Sequence, residues 1–180
     1  MFLRKNLLTG SLPPITSTNG RLKTLKLNAN SLTGSIPESV SNLKALSDLN
    51  TADNKLVGTI PSSLGGMIGM TSLLLGYSHL TGTIPSTLRR LTNLQHLDLG
   101  NNLLTGTIPV LDQSSLNVVD LIINYLTMGS LQEVPWSTFA PSAGVYLHTN
   151  CLVFRNPRRS SQNVEATHCR GKQGLRDSCC

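Results

Sequence analysis

The sequence is poor in charge and in aromatic side chains, at 13% and 4% of its 180 residues. It holds a single tryptophan, Trp136. Leucine must therefore carry the core. No run approaches the ~18 apolar residues that a bilayer-spanning helix needs. The opening MFLRKNLLTG has no apolar h-region and no cleavage site, so it does not read as a signal peptide. No N-x-[ST] sequon occurs, which argues against a secreted, glycosylated chain. There is no phosphate-binding loop, no GxSxG and no paired-carboxylate motif. An enzyme is not expected, and neither a cofactor nor a metal is implied.

The net charge of +6 is unevenly placed. Residues 151–180 hold six of the fifteen Lys and Arg but only two of the nine acids. A nucleic-acid footprint needs a basic face interleaved with aromatic platforms. The first 150 residues show none, so no nucleic-acid partner is expected.

What is present is a repeat. Pro13, Pro37, Pro61, Pro85 and Pro109 are spaced by 24 residues, and so are Gly10, Gly34, Gly58, Gly82 and Gly106. Two columns holding one period mark a solenoid. The best unit is LQHLDLGNNLLTGTIP, Leu94 to Pro109. Aligning on its Asn102 gives Asn6, Asn30, Asn54, Ser78, Asn102, Asn124 and Asn150, which makes seven coils. Asn124 comes two residues early, and the following step is two residues long.

Each coil has a physical logic. A short strand, centred in the best unit on Leu97-Asp98-Leu99, joins a parallel sheet. The asparagine turns inward, where its amide can satisfy backbone groups of the bend and of the next coil. Ser78 breaks that ladder, because a hydroxyl is too short to bond both ways; a water or a local loosening is expected there. Glycine suits the following bend. After each proline, apolar residues every third position suit a short 3₁₀ segment. Asp112 and Ser115 weaken one coil. Trp136 and Phe139 are read as filling a gap beneath the longer 131–144 stretch. His79 and His96 read as solvated surface positions.

This pattern is similar to the plant-type leucine-rich repeat, LxxLxxLxLxxNxLxGxIPxxLxx. The chain resembles the ectodomains of plant receptor-like kinases and receptor-like proteins, and the polygalacturonase-inhibitor proteins, over residues 1 to about 157. The resemblance implies an α/β repeat solenoid: a right-handed superhelix with a concave parallel β-sheet, a second short sheet on the flank at the Ile-Pro step, and short 3₁₀ or irregular segments on the convex side. Residues 158–180 would form a C-terminal cysteine cap and a mobile basic tail.

All four cysteines, Cys151, Cys169, Cys179 and Cys180, lie in the last 30 residues. The cap of the family implies a Cys151–Cys169 disulfide. It would close a loop of about 18 residues, worth ~3 kcal/mol on a chain-entropy argument, and would imply an oxidising compartment. His148, Cys151, His168 and Cys169 could instead be read as zinc ligands. Adjacent His168 and Cys169 suit one ion poorly, and no CxxC pair is present. A Cys/His nucleophile pair lacks an orienting carboxylate.

The remaining surface is the concave face. Its outward positions give a candidate binding set of Lys26, Asp48, Asn50, Asp53, Leu74, Tyr77, His96, Asp98, Asp120 and Ile122. A cationic end (Arg4, Lys5, Lys26) grades into acids, and an apolar group (Leu74, Tyr77, Val118, Ile122, Ile123) lies among them. Repeat folds commonly bind on this face. The expectation is non-catalytic recognition of a protein or peptide ligand by part of a cell-surface receptor-like protein, extracellular, in signalling or defence. The alternatives are a secreted inhibitor of cell-wall-degrading enzymes, a structural surface protein, and a truncated copy without function. The first coil would leave Met1, Leu3, Leu7 and Leu8 uncovered, which suggests a fragment and self-association through that end.

Overall fold

The computed structural model describes residues 1–16, 20–111, 115–127, 144–147 and 150, and the backbone of residues 164–165. Strands are numbered in chain order. One sheet holds β2 (Thr24–Lys26), β4 (Asp48–Asn50), β6 (Ser72–Leu74), β8 (His96–Asp98), β10 (Val118–Asp120), β12 (Gly144–Tyr146) and β13 (Val164–Glu165). All neighbours are parallel, and the order follows the chain. Phe2 adds a single parallel bridge to Lys26 at the other edge.

The sequence centres each strand one residue too far along. In the best coil the strand is His96–Asp98, so the leucine sits in the middle and the aspartate at the end. The central residues Leu25, Leu49, Leu73, Leu97, Val119 and Val145 are all buried. With a side-chain period of two, their neighbours on either side point to the opposite face.

The flank carries three two-stranded parallel sheets, not one. They pair β1 (Thr9–Ser11) with β3 (Ser31–Thr33), β5 (Val57–Thr59) with β7 (His79–Thr81), and β9 (Thr105–Thr107) with β11 (Tyr125–Thr127). They lie just before the Ile-Pro step rather than on it. In each, the glycine of one coil faces the leucine of the next: Gly10 and Leu32, Gly58 and Leu80, Gly106 and Leu126. Gly106 has φ +76°. A β-carbon there would also lie 2.8 Å from Thr83 Cγ2. Both facts favour glycine.

The convex side carries 3₁₀ helices Glu38–Asn42, Ser62–Gly66 and Ser86–Arg90, each entered from an extended proline. Leu88, Leu91 and Leu94 recur every third residue on and after the last of them, and all three are fully buried. The leucines of successive coils form one continuous core from Leu25 to Leu147.

The asparagine ladder closes the coils. Asn102 Oδ1 accepts the Leu80 N–H at 2.9 Å, and its Nδ2 donates to the carbonyls of Leu75, Leu99 and Gly100 at 3.1–3.2 Å. Asn54 and Asn124 repeat this pattern. Asn150 accepts from the Leu126 N–H at 3.1 Å and donates to the Leu121 carbonyl at 2.7 Å, so the irregular seventh coil holds its rung. The sheet runs on beyond residue 157, since Val164 and Glu165 pair with Val145 and Tyr146. Trp136, Phe139, Asp112, His148, Pro157 and the four cysteines, including Cys151 and Cys169, lie outside the described residues.

Candidate functional site: the concave sheet

Cross-strand register assembles the outward side chains into rows, with neighbouring strands about 4.8 Å apart. The row that ends the strands reads Lys26, Asn50, Leu74, Asp98, Asp120, Tyr146. The row that begins them reads Thr24, Asp48, Ser72, His96, Val118, Gly144. Eight of the ten candidates thus fall on two adjacent rows or in the bend beside them, where Ile122 sits two residues past its strand. Asp53 and Tyr77 stand one position further along the bend.

Electrostatics divides the face. Lys26 Nζ lies 3.1 Å from Asp48 Oδ2 and 5.8 Å from the centre of the Phe2 ring. This is the only ion pair among the described residues. It neutralises the acid that the sequence assigns to a graded charge. The acidity left without a cation is the register pair Asp98 and Asp120.

Both carboxylates are held by the bend that follows. Asp98 Oδ1 accepts the Gly100 N–H, and Asp120 Oδ1 accepts the Ile122 N–H, each at 3.0 Å. Asn50 Oδ1 does the same to Ala52 at 3.1 Å. Burial pushes the Asp98 carboxyl above its ordinary value; the Gly100 hydrogen bond opposes this, and the Asp120 charge adds to it. Like charges directly opposite each other across strands are unfavourable unless something cationic meets them.

The sequence reading missed why these aspartates fit. Gly76 and Gly100 are buried in the preceding coils. A β-carbon at Gly76 would run into Asp98 Oδ1, and one at Gly100 would lie 2.9 Å from Asp120 Oδ1. The readable signal was a glycine two residues past one strand, paired with an aspartate ending the next.

The apolar group is less available than the sequence suggests. Leu74, Val118, Ile122 and Ile123 are half-buried, while Tyr77 is 57% exposed. Tyr77 projects because its backbone is left-handed, φ +56°. The same column does this in every described coil, at Lys5, Ala29, Asp53, Tyr77, Asn101 and Ile123.

Asp48, Ser72 and His96 stand side by side, but in an order unsuited to nucleophile activation. The serine separates the acid from the histidine, and Asp48 is paired with Lys26. A triad needs the histidine between the other two. On the flank, a cavity of about 350 Å³ is lined by Thr83, Ile84, Ser86, Arg89, Thr107, Pro109 and Val110. It offers one cation and hydroxyls, without an acid–base pair. No helix among the described residues is long and apolar enough to cross a membrane.

The Leucine Rich Repeat family model matches residues 21–43 and 93–113. The ectodomain of the receptor kinase SOBIR1 from Arabidopsis thaliana is 30% identical, with a TM-score of 0.66, over 70% of this chain and 70% of that one. The chain belongs to the leucine-rich-repeat family of plant receptor-kinase ectodomains. The ectodomain of the membrane receptor kinase GASSHO1/SCHENGEN3 from Arabidopsis thaliana, solved in complex with CASPARIAN STRIP INTEGRITY FACTOR 2, is 34% identical with a TM-score of 0.76 over 84% of this chain. The PEPR1–AtPEP1 structure is 29% identical with a TM-score of 0.77, also over 84%. This chain spans only about a fifth of those two proteins, 18% and 21%. A search of curated protein sequences found no match.

Proposed function

We propose that this leucine-rich-repeat chain is a non-catalytic recognition module of a receptor-like protein at the cell surface. It takes a peptide or protein segment along the concave sheet, with a basic side chain of the ligand set against Asp98 and Asp120. The observation that carries this reading is the register pair of half-buried carboxylates without a cation, in the middle of the face and held in place by their bends. A ligand cation would relieve the repulsion between them, and this strengthens selectivity and association rate as much as affinity. Exposed Tyr77 on one side and Tyr146 on the other supply apolar contact at the rim. Several structural neighbours are receptor ectodomains solved with peptide ligands, which supports the class of function.

The test is titration with three synthetic peptides of equal length, one basic, one neutral and one acidic. The basic peptide should bind, more weakly as salt rises. The Asp98→Asn/Asp120→Asn variant should lose at least about tenfold in affinity, since charge-assisted contacts contribute roughly 1.5–3 kcal/mol each. Equal binding of all three peptides, or unchanged binding by the double variant, refutes the proposal.

A further inference from the structure

One rung of the ladder is built from different side chains, and the two departures fall on the same rung. In the regular rungs the asparagine accepts from the N–H 22 residues earlier: Asn30 from Leu8 at 3.1 Å, Asn54 from Leu32 at 2.9 Å, Asn102 from Leu80 at 2.9 Å. It also donates to the carbonyl 27 residues earlier: Asn30 to Leu3 at 2.8 Å, Asn54 to Leu27 at 3.1 Å, Asn102 to Leu75 at 3.1 Å. Applied to Ser78, these offsets give the Leu56 N–H and residue Thr51.

Thr51 is itself the departure from its column, where Leu27, Leu75, Leu99, Leu121 and Leu147 stand in other coils. Thr51 is 0% exposed and Ser78 9%. Neither Thr51 Oγ1 nor Ser78 Oγ has a hydrogen-bond partner among the described residues. The Leu56 N–H, on a residue 1% exposed, has lost the acceptor that its equivalents keep. The other groups at this rung are satisfied. The Thr51 carbonyl takes Asn54 Nδ2 at 3.0 Å, and the Leu75 carbonyl takes Asn102 Nδ2.

We infer that this rung is a binding site for one buried water molecule, held by Thr51 Oγ1, Ser78 Oγ and the Leu56 N–H. Buried polar groups almost always find partners, and a buried water characteristically has two to four. The water takes the Leu56 N–H as the missing carboxamide oxygen would, and exchanges hydrogen bonds with the two hydroxyls. Room is available, because Thr and Ser together carry about three fewer side-chain heavy atoms than Leu and Asn, comparable with the ~30 Å³ of a water. Threonine replaces leucine here because the water requires a polar neighbour. A leucine methyl at that point would leave the water one partner short.

The test is protein–water cross-relaxation by NMR at the Leu56 amide, with Leu80 as the internal reference, because Asn102 already occupies its acceptor position. The wild type should show a long-lived water contact at Leu56 and none at Leu80. Ser78→Asn should abolish the contact while Leu56 keeps its protection from exchange. Thr51→Leu gives a second, independent reading through the melting temperature. It should lower the midpoint, although it restores the residue of the column. A wild-type Leu56 amide without a water contact overturns the inference. So does a contact that persists in Ser78→Asn, or a raised midpoint in Thr51→Leu.

Discussion

Truncating two ladder asparagines to alanine should cost unequal amounts, and the broken rung decides which costs more. Asn102 and Asn124 are equally buried, at 4% and 5% exposure, and make the same kinds of bond. Their losses differ because the carbonyls of this ladder are normally shared between two asparagines. Removing the Asn102 amide orphans the Leu80 N–H. It also orphans the Leu75 carbonyl, because Ser78 supplies no second donor to it. The Leu99 and Gly100 carbonyls survive, since Asn124 Nδ2 reaches the first at 3.0 Å and the Tyr77 N–H the second at 2.8 Å. Removing the Asn124 amide orphans only the Leu104 N–H. Its Leu99 carbonyl keeps Asn102, its Leu121 carbonyl keeps Asn150, and its Ile122 carbonyl keeps the Asn101 N–H. Each unsatisfied buried group costs about 1–3 kcal/mol. Asn102→Ala should therefore lose about 2–6 kcal/mol and Asn124→Ala about 1–3 kcal/mol, against a total stability on the order of 5–15 kcal/mol for a typical domain. Urea titration followed by circular dichroism measures both, with Asn93→Ala at an exposed site as the control. Because coils couple mainly to their neighbours, amide exchange at Leu80 and Leu104 shows whether the loss is local. An Asn124→Ala variant as unstable as Asn102→Ala would refute the shared-carbonyl argument.

Three further perturbations test the concave face and its bends. Gly76→Ala drives Asp98 from its place and breaks the 3.0 Å bond to Gly100; thermal melting should show a loss of about 1–3 kcal/mol, partly recovered in Gly76→Ala/Asp98→Ser, and a neutral Gly76→Ala would contradict the packing. Asp98 has its folded carboxyl raised above the ordinary value of 3.8, so the folded chain holds that proton more readily than the unfolded one, and stability falls as pH rises from about 3.8 through the raised value. Asp98→Asn should remove that fall and be the more stable variant above this window, with no advantage below it; paired melts from pH 3 to pH 7 check the sign. Ile123 is a β-branched residue at φ +51°, a conformation that asparagine tolerates better, so Ile123→Asn should raise stability by roughly 0.5–1 kcal/mol, and a lowered melting temperature would sink the strain argument.

The coils were legible in the sequence because stacking demands the same chemistry at the same place in every one. Leu97, Asn102, Gly106 and Pro109 recur for that reason, and the structure puts each where the period requires. The strand boundary was missed by one residue because Leu97 and Leu99 are both buried, and burial alone does not separate a strand centre from the first residue of the bend. The left-handed column escaped notice because none of its residues is glycine. Lys5, Ala29, Asp53, Tyr77, Asn101 and Ile123 share no side-chain chemistry, only a backbone turn that the whole coil imposes.

The site was legible residue by residue and not as an arrangement. Lys26, Asp48, Asp98 and Asp120 all read as concave charges, but their meaning depends on partners a coil away. One cation meets one acid at 3.1 Å, and two acids face each other with none. Such relations lie between coils, at separations near 22, 24 and 27 residues, and a pattern read along the chain does not weigh them. The same holds for Thr51 and Ser78. Each looks like a lapse in its own column, and only the 27-residue offset of the ladder joins them. In a solenoid, therefore, an exception in one column is best examined against exceptions in the column it touches. Where two coincide, the second is expected to compensate the first, and where one stands alone, as Asp98 beside Asp120 without a cation, the missing partner is expected to come from outside the chain.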